Sequence, residues 1–166
     1  MGKGNKLIQI GGGQTMKKAA GILCIGLFFL AIGVIWAEER GTAAQARLMV
    51  ERAAEFARTQ GREKAIAEFN NPKGQFVRGE LYVYAWDVNG NVLAMVVNPK
   101  MIGSNVLNSP DADGKLFRKE AIELAKAKGS GWVDYKYQNP RTKQLDQKTA
   151  YVKKVDDLVI GCGAYK

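Results

Sequence analysis

The side chains that could do chemistry in this 166-residue chain are a restricted set, because it contains no histidine and only two cysteines. Without histidine, the commonest general base and the commonest metal ligand are both missing. Cys24 and Cys162 are too few for a cysteine-based zinc site, and no C-x-x-C-H segment suggests haem. The composition therefore predicts no catalytic residues, no metal site and no cofactor.

Two acidic residues, Asp111 and Asp113, form a pair whose spacing suggests a cation site. An EF-hand calcium loop needs further ligands at set positions and a closing glutamate, and this segment lacks them. We therefore interpret the pair as turn or helix-capping residues that precede a helix.

A row of aromatic residues lies in the stretch Gly79–Pro99, which reads GELYVYAWDVNGNVLAMVVNP. Asn89-Gly90 between two apolar runs predicts a β-hairpin with a type I′ turn. Side chains alternate between the faces of a strand, so this turn fixes which residues share a face. The register pairs Tyr84 with Met95 and Trp86 with Leu93.

The predicted hairpin has two unlike faces. One face is broad and aromatic and carries Tyr82, Tyr84, Trp86, Leu93, Met95 and Val97. The other face is small and aliphatic and carries Val83, Ala85, Ala94 and Val96, with Asp87 and Val92 at its end. The small face suits packing under a helix, whereas the aromatic face suits either a core or a ligand pocket.

Three helices and further strands are predicted to position this hairpin. Thr42 and Gln45 form a capping box before a long helix that ends at Gly61, and a second helix covers Arg62–Phe69. A third covers about Lys115 to Lys126, with inward-facing Leu116, Phe117, Ala121 and Leu124. Later strands are predicted at Gly131–Tyr137, Gln147–Val155 and Leu158–Tyr165. This order predicts an α+β fold with a long N-terminal helix packed on a five-stranded antiparallel sheet.

Residues 1–37 predict a leader. Met16-Lys17-Lys18 precedes an apolar run from Ala19 to Ala37, which is typical of an export signal. An uncleaved membrane anchor is the open alternative, because the run is close to the length that spans a bilayer. Both interpretations place residues 38–166 in the periplasm as one domain. The formal net charge of +9 is scattered among acids rather than clustered, so no nucleic-acid partner is predicted.

The region Gly74–Lys166 resembles the single Cache domain family, the extracytoplasmic relatives of the PAS fold. The resemblance rests on segments in a characteristic order: LYVYAWDVNGNVLA, NPKMIGSN, DADGK, GSGWVDYKY, QKTAYVKKV and LVIGCGAY. It implies a PAS-like fold that binds small molecules, often short carboxylates, and reports them to bacterial chemoreceptors or kinases.

The resemblance also implies a set of ligand-binding residues. Lys148 and Tyr151 match the lysine-x-x-tyrosine segment of the family, and Lys148 is the expected partner of a carboxylate, which needs a cation or several donors when buried. In a regular strand these two side chains point to opposite faces, unless a bulge intervenes. The other expected pocket residues are Tyr84, Trp86, Met95, Trp132 and Tyr135, and of the last two either could close the pocket.

One position departs from the family. Met95 stands where the family often has histidine, and methionine keeps the volume but donates no strong hydrogen bond. The departure predicts either a more apolar ligand or a site that has been altered or lost. Cys162, between Gly161 and Gly163, is predicted to be a small buried residue in a tightly packed strand.

The leading interpretation is a periplasmic sensor or accessory module of signal transduction that binds a small organic ligand. Because the chain ends at Lys166, directly after the last strand, we expect a stand-alone module. Such a module would act by contact with a membrane receptor or kinase, or as a homodimer through its N-terminal helix. The alternative is a structural or interaction module that has lost its ligand and acts through protein contacts.

Overall fold

The computed structural model describes residues 41–166, so the predicted leader and Cys24 lie outside the described residues. Three α-helices lie at Ala43–Gln60 (α1), Arg62–Phe69 (α2) and Phe117–Lys128 (α3). Six strands lie at Val77–Arg78 (β1), Leu81–Asp87 (β2), Val92–Met95 (β3), Ser130–Gln138 (β4), Leu145–Val155 (β5) and Leu158–Tyr165 (β6). Over this described range, no helix combines the length and the apolar character needed to cross a membrane.

The strands form one antiparallel sheet in the order β1-β2-β6-β5-β4, with β3 also paired to β2. The predicted α+β fold is confirmed, but the sheet has six strands rather than five. The additional strand is β1, which none of the predicted strands covers and which pairs with the first residues of β2. β3 pairs with the later residues of β2.

The predicted bounds agree with the structure for α1 and α2 but not for α3. Thr42 N donates to Gln45 Oε1 at 2.9 Å and Gln45 N donates to Thr42 Oγ1 at 3.2 Å, which confirms the capping box of α1. α2 has the predicted bounds. α3 starts later than predicted, at Phe117, and Leu116 is 36% exposed rather than buried. The buried stripe of α3 is Phe117, Arg118, Ala121, Ile122 and Ala125.

The turn between β2 and β3 differs from the predicted type I′ turn. Gly90 has a φ of 86°, but Asn89 is not in the left-handed region, so the turn has only one of the two positive φ values required. Gly90 N donates to Asp87 O, and Asp87 N donates to Asn91 O, each at 3.0 Å. The Asp87 carboxylate also accepts from the backbone N–H groups of Asn89 and Asn91, at 2.9 and 2.8 Å. These bonds stabilise a three-residue loop instead.

The register of the hairpin is interrupted by a β-bulge. Tyr84 faces Met95 as predicted, but Trp86 faces Val92, so the predicted pairing of Trp86 with Leu93 is wrong. The additional residue is Leu93, and it packs on the aliphatic side of the sheet while Val92 joins the aromatic side.

The bulge is held by a contact from another element. The side chain of Asn70, which follows α2, donates to Leu93 O at 3.0 Å and accepts from Met95 N at 3.1 Å. The irregular stretch of β3 is therefore fixed by hydrogen bonds from outside the sheet.

The two faces of the sheet carry two separate cores. α1 and α2 cover the aliphatic face, where the contact residues include Ala46, Val50, Ala53, Phe69, Val83, Ala85 and Ile160. α3 covers part of the aromatic face, where the contact residues include Tyr84, Trp86, Phe117, Ile122, Val133 and Val159. The small aliphatic face therefore lies under helices, as predicted, and the aromatic face holds the candidate site.

Candidate functional site

A small cavity lies on the aromatic face of the sheet, beside the first turn of α3. Its volume is about 10 Å³, which is roughly the space for one water molecule. Its lining residues are Tyr82, Tyr84, Trp86, Met95, Phe117, Arg118, Tyr135 and Tyr137. Four of the residues predicted for the site, Tyr84, Trp86, Met95 and Tyr135, therefore meet around one space.

An open groove lies next to this cavity. Its volume is about 390 Å³, and it is lined by Tyr82, Val97, Asn98, Tyr137, Gln138, Pro140 and Lys143. Tyr82 and Tyr137 line both the groove and the cavity. These two side chains therefore form the boundary between the inner and the outer space.

Lys148 is buried among tyrosine side chains of the same face, with only 1% of its surface exposed. Its Nζ lies 3.3 Å from the hydroxyl oxygen of Tyr82, which lines the cavity. The same nitrogen lies 4.7, 5.7 and 4.4 Å from the ring centroids of Tyr82, Tyr137 and Tyr165. Lys148 does not itself line the cavity, and it reaches the cavity wall through the Tyr82 hydroxyl.

No acid in residues 41–166 forms an ion pair with the Lys148 ammonium group. Burial lowers the pKa of Lys148 from its ordinary value of 10.5 to about 8, although the neighbouring groups of Cys162 and Glu80 oppose this shift. Glu80 Oε1 is paired elsewhere, at 3.0 Å from Arg141 Nε. Lys148 is thus a buried cation with a hydroxyl and aromatic faces around it.

Two glycines of β6 provide the space for these side chains. A Cβ atom at Gly163 would lie 2.7 Å from Lys148 Cε, and one at Gly161 would lie 2.4 Å from the ring of Tyr84. Real Cβ atoms do not approach this closely, so both positions require glycine for the observed packing. The close packing predicted for this strand is confirmed.

The tyrosines around the cavity are neutral hydrogen-bonding groups. Burial raises the pKa of Tyr82, Tyr84 and Tyr135 above the ordinary value of 10, so their hydroxyl groups stay protonated near neutral pH. The ring of Tyr135 stacks on Phe117 with centroids 3.9 Å apart. The wall can therefore both donate and accept hydrogen bonds at several points.

Two buried N–H donors of the cavity wall have no hydrogen-bond partner among the described residues, Trp86 Nε1 and Arg118 Nε. Sequence reasoning missed Arg118, because it starts a charged Arg-Lys-Glu run that looks like a solvent-exposed helix face. The signal that could have found it is its spacing, because Arg118 shares the helical stripe of Ala121, Ile122 and Ala125.

The remaining predicted site residues, Trp132 and Tyr151, lie on the opposite face of the sheet. β4 and β5 pair without a register shift, with Tyr135 opposite Lys148 and Trp132 opposite Tyr151. Trp132 is 40% exposed, and its ring centroid lies 5.1 Å from that of Tyr151. The sheet therefore separates these two side chains from the cavity.

Tyr151 belongs to a polar cluster that attaches α1 to the sheet. Its hydroxyl lies 3.2 Å from Glu51 Oε1 and 3.0 Å from Ser130 Oγ, and Glu51 also pairs with Lys153. The hydrogen bond from Lys153 is the main reason that the pKa of Glu51 is lowered. The cluster links α1 to the same strand that carries Lys148.

Asp111 and Cys162 have structural environments. The Asp111 carboxylate accepts hydrogen bonds from the backbone N–H groups of Asp113, Lys115 and Lys136 at 3.0, 2.8 and 3.0 Å. This confirms the interpretation of Asp111 as a turn residue. Cys162 is fully buried, as predicted, and burial raises the pKa of its thiol to about 12.

Comparison with known proteins gives a consistent result. The family model described as Single Cache domain 2 matches residues 46–166. The sensor histidine kinase MctS of Rhizobium johnstonii is 36% identical over 89 residues, which cover 51% of this chain and 18% of that protein. The chain therefore spans about a fifth of the length of this curated relative.

Three solved structures are similar, and each match covers 74% of this chain. A periplasmic sensor domain of a chemotaxis protein is 25% identical with a TM-score of 0.58 over 88% of its length. A methyl-accepting chemotaxis protein from Vibrio parahaemolyticus is 15% identical with a TM-score of 0.64 over 86%. A Cache chemosensory domain that recognises carboxylic acids is 22% identical with a TM-score of 0.58 over 86%. The last two likenesses show the fold alone.

Proposed function

The chain belongs to the single Cache domain 2 family, and from this premise we propose that it binds a short carboxylate at the cavity on its aromatic face. Single Cache domains are extracytoplasmic ligand-binding sensor domains of chemoreceptors and histidine kinases. Carboxylate recognition by one structural neighbour supports the choice of ligand class.

The observation that carries this proposal is the environment of Lys148. A buried ammonium group is costly unless it is paired, and none of the described acids forms an ion pair with Lys148, which is only 1% exposed. A carboxylate that accepts from the ammonium group and from the Tyr82 hydroxyl would supply the missing negative charge. A neutral ligand of the same shape would not.

Binding requires the cavity to open, because its present volume holds about one water molecule. Tyr82 and Tyr137 separate the cavity from the outer groove, so outward rotation of these rings would admit a ligand and expose Lys148 to it. Met95 has a flexible, apolar side chain that can adapt to the short hydrocarbon part of a carboxylate.

The remaining roles in this proposal concern location and partners. Residues 1–37 act as the leader, and residues 38–166 form the sensor domain in the periplasm. The domain reports ligand binding to a membrane receptor or kinase by direct contact, or as a homodimer through α1. The cluster of Glu51, Tyr151 and Lys153 supports a route from the ligand site to α1, because β5 carries both Lys148 and this cluster.

A second candidate function is an interaction module without a ligand. The small volume of the cavity and the presence of Met95 in its wall favour this alternative. A thermal-shift screen with carboxylates distinguishes the two functions, because only the sensor would be stabilised by a ligand.

The test is a thermal-shift screen of the full-length chain with acetate, propionate and lactate against the matched neutral amides. At 100 times its dissociation constant, a ligand adds about 2.7 kcal/mol to the free energy of unfolding. We expect carboxylates to raise the melting temperature and amides to leave it unchanged.

Two variants make the screen specific. Lys148→Met should abolish the carboxylate response, whereas Lys154→Met, which removes the same charge from the same strand, should retain it. A flat response to every carboxylate would contradict the proposal and favour the ligand-free interaction module.

A further inference from the structure

A cationic group lines the cavity directly, in addition to Lys148, which reaches the wall through the Tyr82 hydroxyl. Arg118 is only 6% exposed and lines the cavity from the first turn of α3. Its Nη1 donates to Ser109 O at 3.2 Å, and its Cζ lies 4.2 Å from the centroid of the Phe117 ring. These contacts fix the guanidinium group but leave its Nε–H without an acceptor among the described residues.

The indole N–H of Trp86 is a second buried donor that has no acceptor among the described residues. Trp86 is 1% exposed, lines the same cavity, and its Nε1 has no described acceptor. A buried donor without a partner carries a desolvation penalty, so two of them in one wall indicate that something else accepts from them. Since one of the two donors is charged, the matching acceptor is an anionic oxygen.

Lys148 and Arg118 reach the cavity through different residues of its wall. Tyr82 lines the cavity and contacts Lys148 with its hydroxyl group, whereas Arg118 lines the cavity directly. Neither cation forms an ion pair with an acid of the described chain. A ligand with a single carboxylate would neutralise one of them and leave the other buried and unpaired.

Resting on the proposed function, we propose that the ligand is a short dicarboxylate whose second carboxylate accepts from Arg118 Nε and Trp86 Nε1. The first carboxylate lies at Lys148 and Tyr82, on the side of the outer groove. Arg118 and Trp86 are then the residues that determine specificity, because they distinguish a dianion from a monoanion of similar length.

The test is isothermal calorimetry on the full-length chain with malonate and succinate against propionate and butyrate. We expect the better dicarboxylate to bind at least about ten-fold more tightly than the monocarboxylate of equal chain length, because it makes an additional charge-assisted contact. In Arg118→Gln this preference should disappear, so that the dissociation constants of the dicarboxylate and of the monocarboxylate of equal chain length agree within about two-fold.

Three further variants keep the test independent of folding defects. Trp86→Phe keeps an aromatic ring and removes the indole N–H, so it should weaken dicarboxylate binding more than monocarboxylate binding. Arg118→Lys keeps the charge and should restore part of the preference. Lys119→Gln removes a neighbouring exposed charge of α3 and should change nothing.

The outcomes separate this proposal from the proposed function. If monocarboxylates bind as tightly as dicarboxylates, or if Arg118→Gln weakens both classes equally, the dicarboxylate proposal is wrong while carboxylate sensing stands. If neither class binds, the proposed function itself is overturned, and this proposal with it.

Discussion

Lys148 buries an ammonium group among the rings of Tyr82, Tyr137 and Tyr165, and this burial lowers its pKa to about 8. In the unfolded chain its pKa returns to about 10.5, so between these two values the unfolded state binds more protons than the folded state. The unfavourable contribution of Lys148 is therefore fully present below about pH 8 and disappears as the pH rises towards 10.5.

This argument predicts that Lys148→Met stabilises the ligand-free protein. Replacing a buried, unpaired charge by an apolar side chain of similar length should raise the free energy of unfolding by about 1–3 kcal/mol at pH 7. The gain should shrink between pH 8 and 10.5, as measured by urea denaturation at several pH values.

Lys154→Met is the matched control, because Lys154 lies on the same strand and its side chain is only partly buried. A Lys148→Met variant that is less stable than the wild type at pH 7 would contradict this account of the buried charge.

Sequence reasoning at the residue scale works where a residue follows a pattern. The alternation of β2 predicts that Tyr84 and Trp86 share one face of the sheet, and in the structure both line the cavity. Arg118 does not follow such a pattern. An arginine in a helix is normally predicted to be solvent-exposed, and its burial becomes evident only when the elements that pack against α3 are known.

At the scale of the elements, β6 determines how the site is packed. Its glycines lie beneath Tyr84 and Lys148, and a side chain at either position would displace those groups. β6 also joins β2 to β5, so it connects the strand of the aromatic row to the strand of the buried lysine.

We predict that Gly163→Ala impairs ligand binding more than its effect on folding explains. The added Cβ would lie 2.7 Å from Lys148 Cε and 3.2 Å from both Thr149 O and Tyr135 Oη. Overpacking of this kind costs about 1–3 kcal/mol of stability, and the shifted ammonium group should also reduce the ligand-induced thermal shift.

Gly131→Ala is the control for this prediction. Its Cβ would approach Leu124 Cδ2 to 2.5 Å, so it also crowds a strand, but at a position that does not line the cavity. Equal ligand-induced shifts in the two alanine variants would argue against a positioning role for Gly163.

The elements themselves were predictable to different degrees. Capping residues and glycines gave the bounds of α1 and α2, and Leu158–Tyr165 was predicted with the observed bounds of β6. The bulge in β3 was not predictable, because hydrogen bonds from Asn70, more than twenty residues away in sequence, stabilise it. Local patterns cannot contain such a tertiary contact.

At the scale of the whole molecule, the two faces of the sheet have different roles: one packs against α1 and α2, and the other holds the cavity. α1 and α2 cover the aliphatic face, where Tyr151 and Trp132 lie, and the cavity opens on the aromatic face beside α3. The family match and the similar solved structures are consistent with one sensor domain over this range. Our central claim is that ligands bind on the aromatic face.

The chain contains a convenient pair of reporters for that claim. Of its three tryptophans, Trp86 lies in the cavity wall and Trp132 is partly exposed on the opposite face. Their indole N–H signals can be followed separately in a ¹H–¹⁵N spectrum, and Trp86→Phe and Trp132→Phe assign them.

The most direct test is therefore a titration of the ¹⁵N-labelled full-length chain with the carboxylate that gives the largest thermal shift. We predict that the Trp86 indole signal moves in proportion to occupancy, because Trp86 lines the cavity that the ligand enters, while the Trp132 signal stays in place. A shift of the Trp132 signal with no change at Trp86 would contradict the claim, since the ligand would then bind on the other face of the sheet.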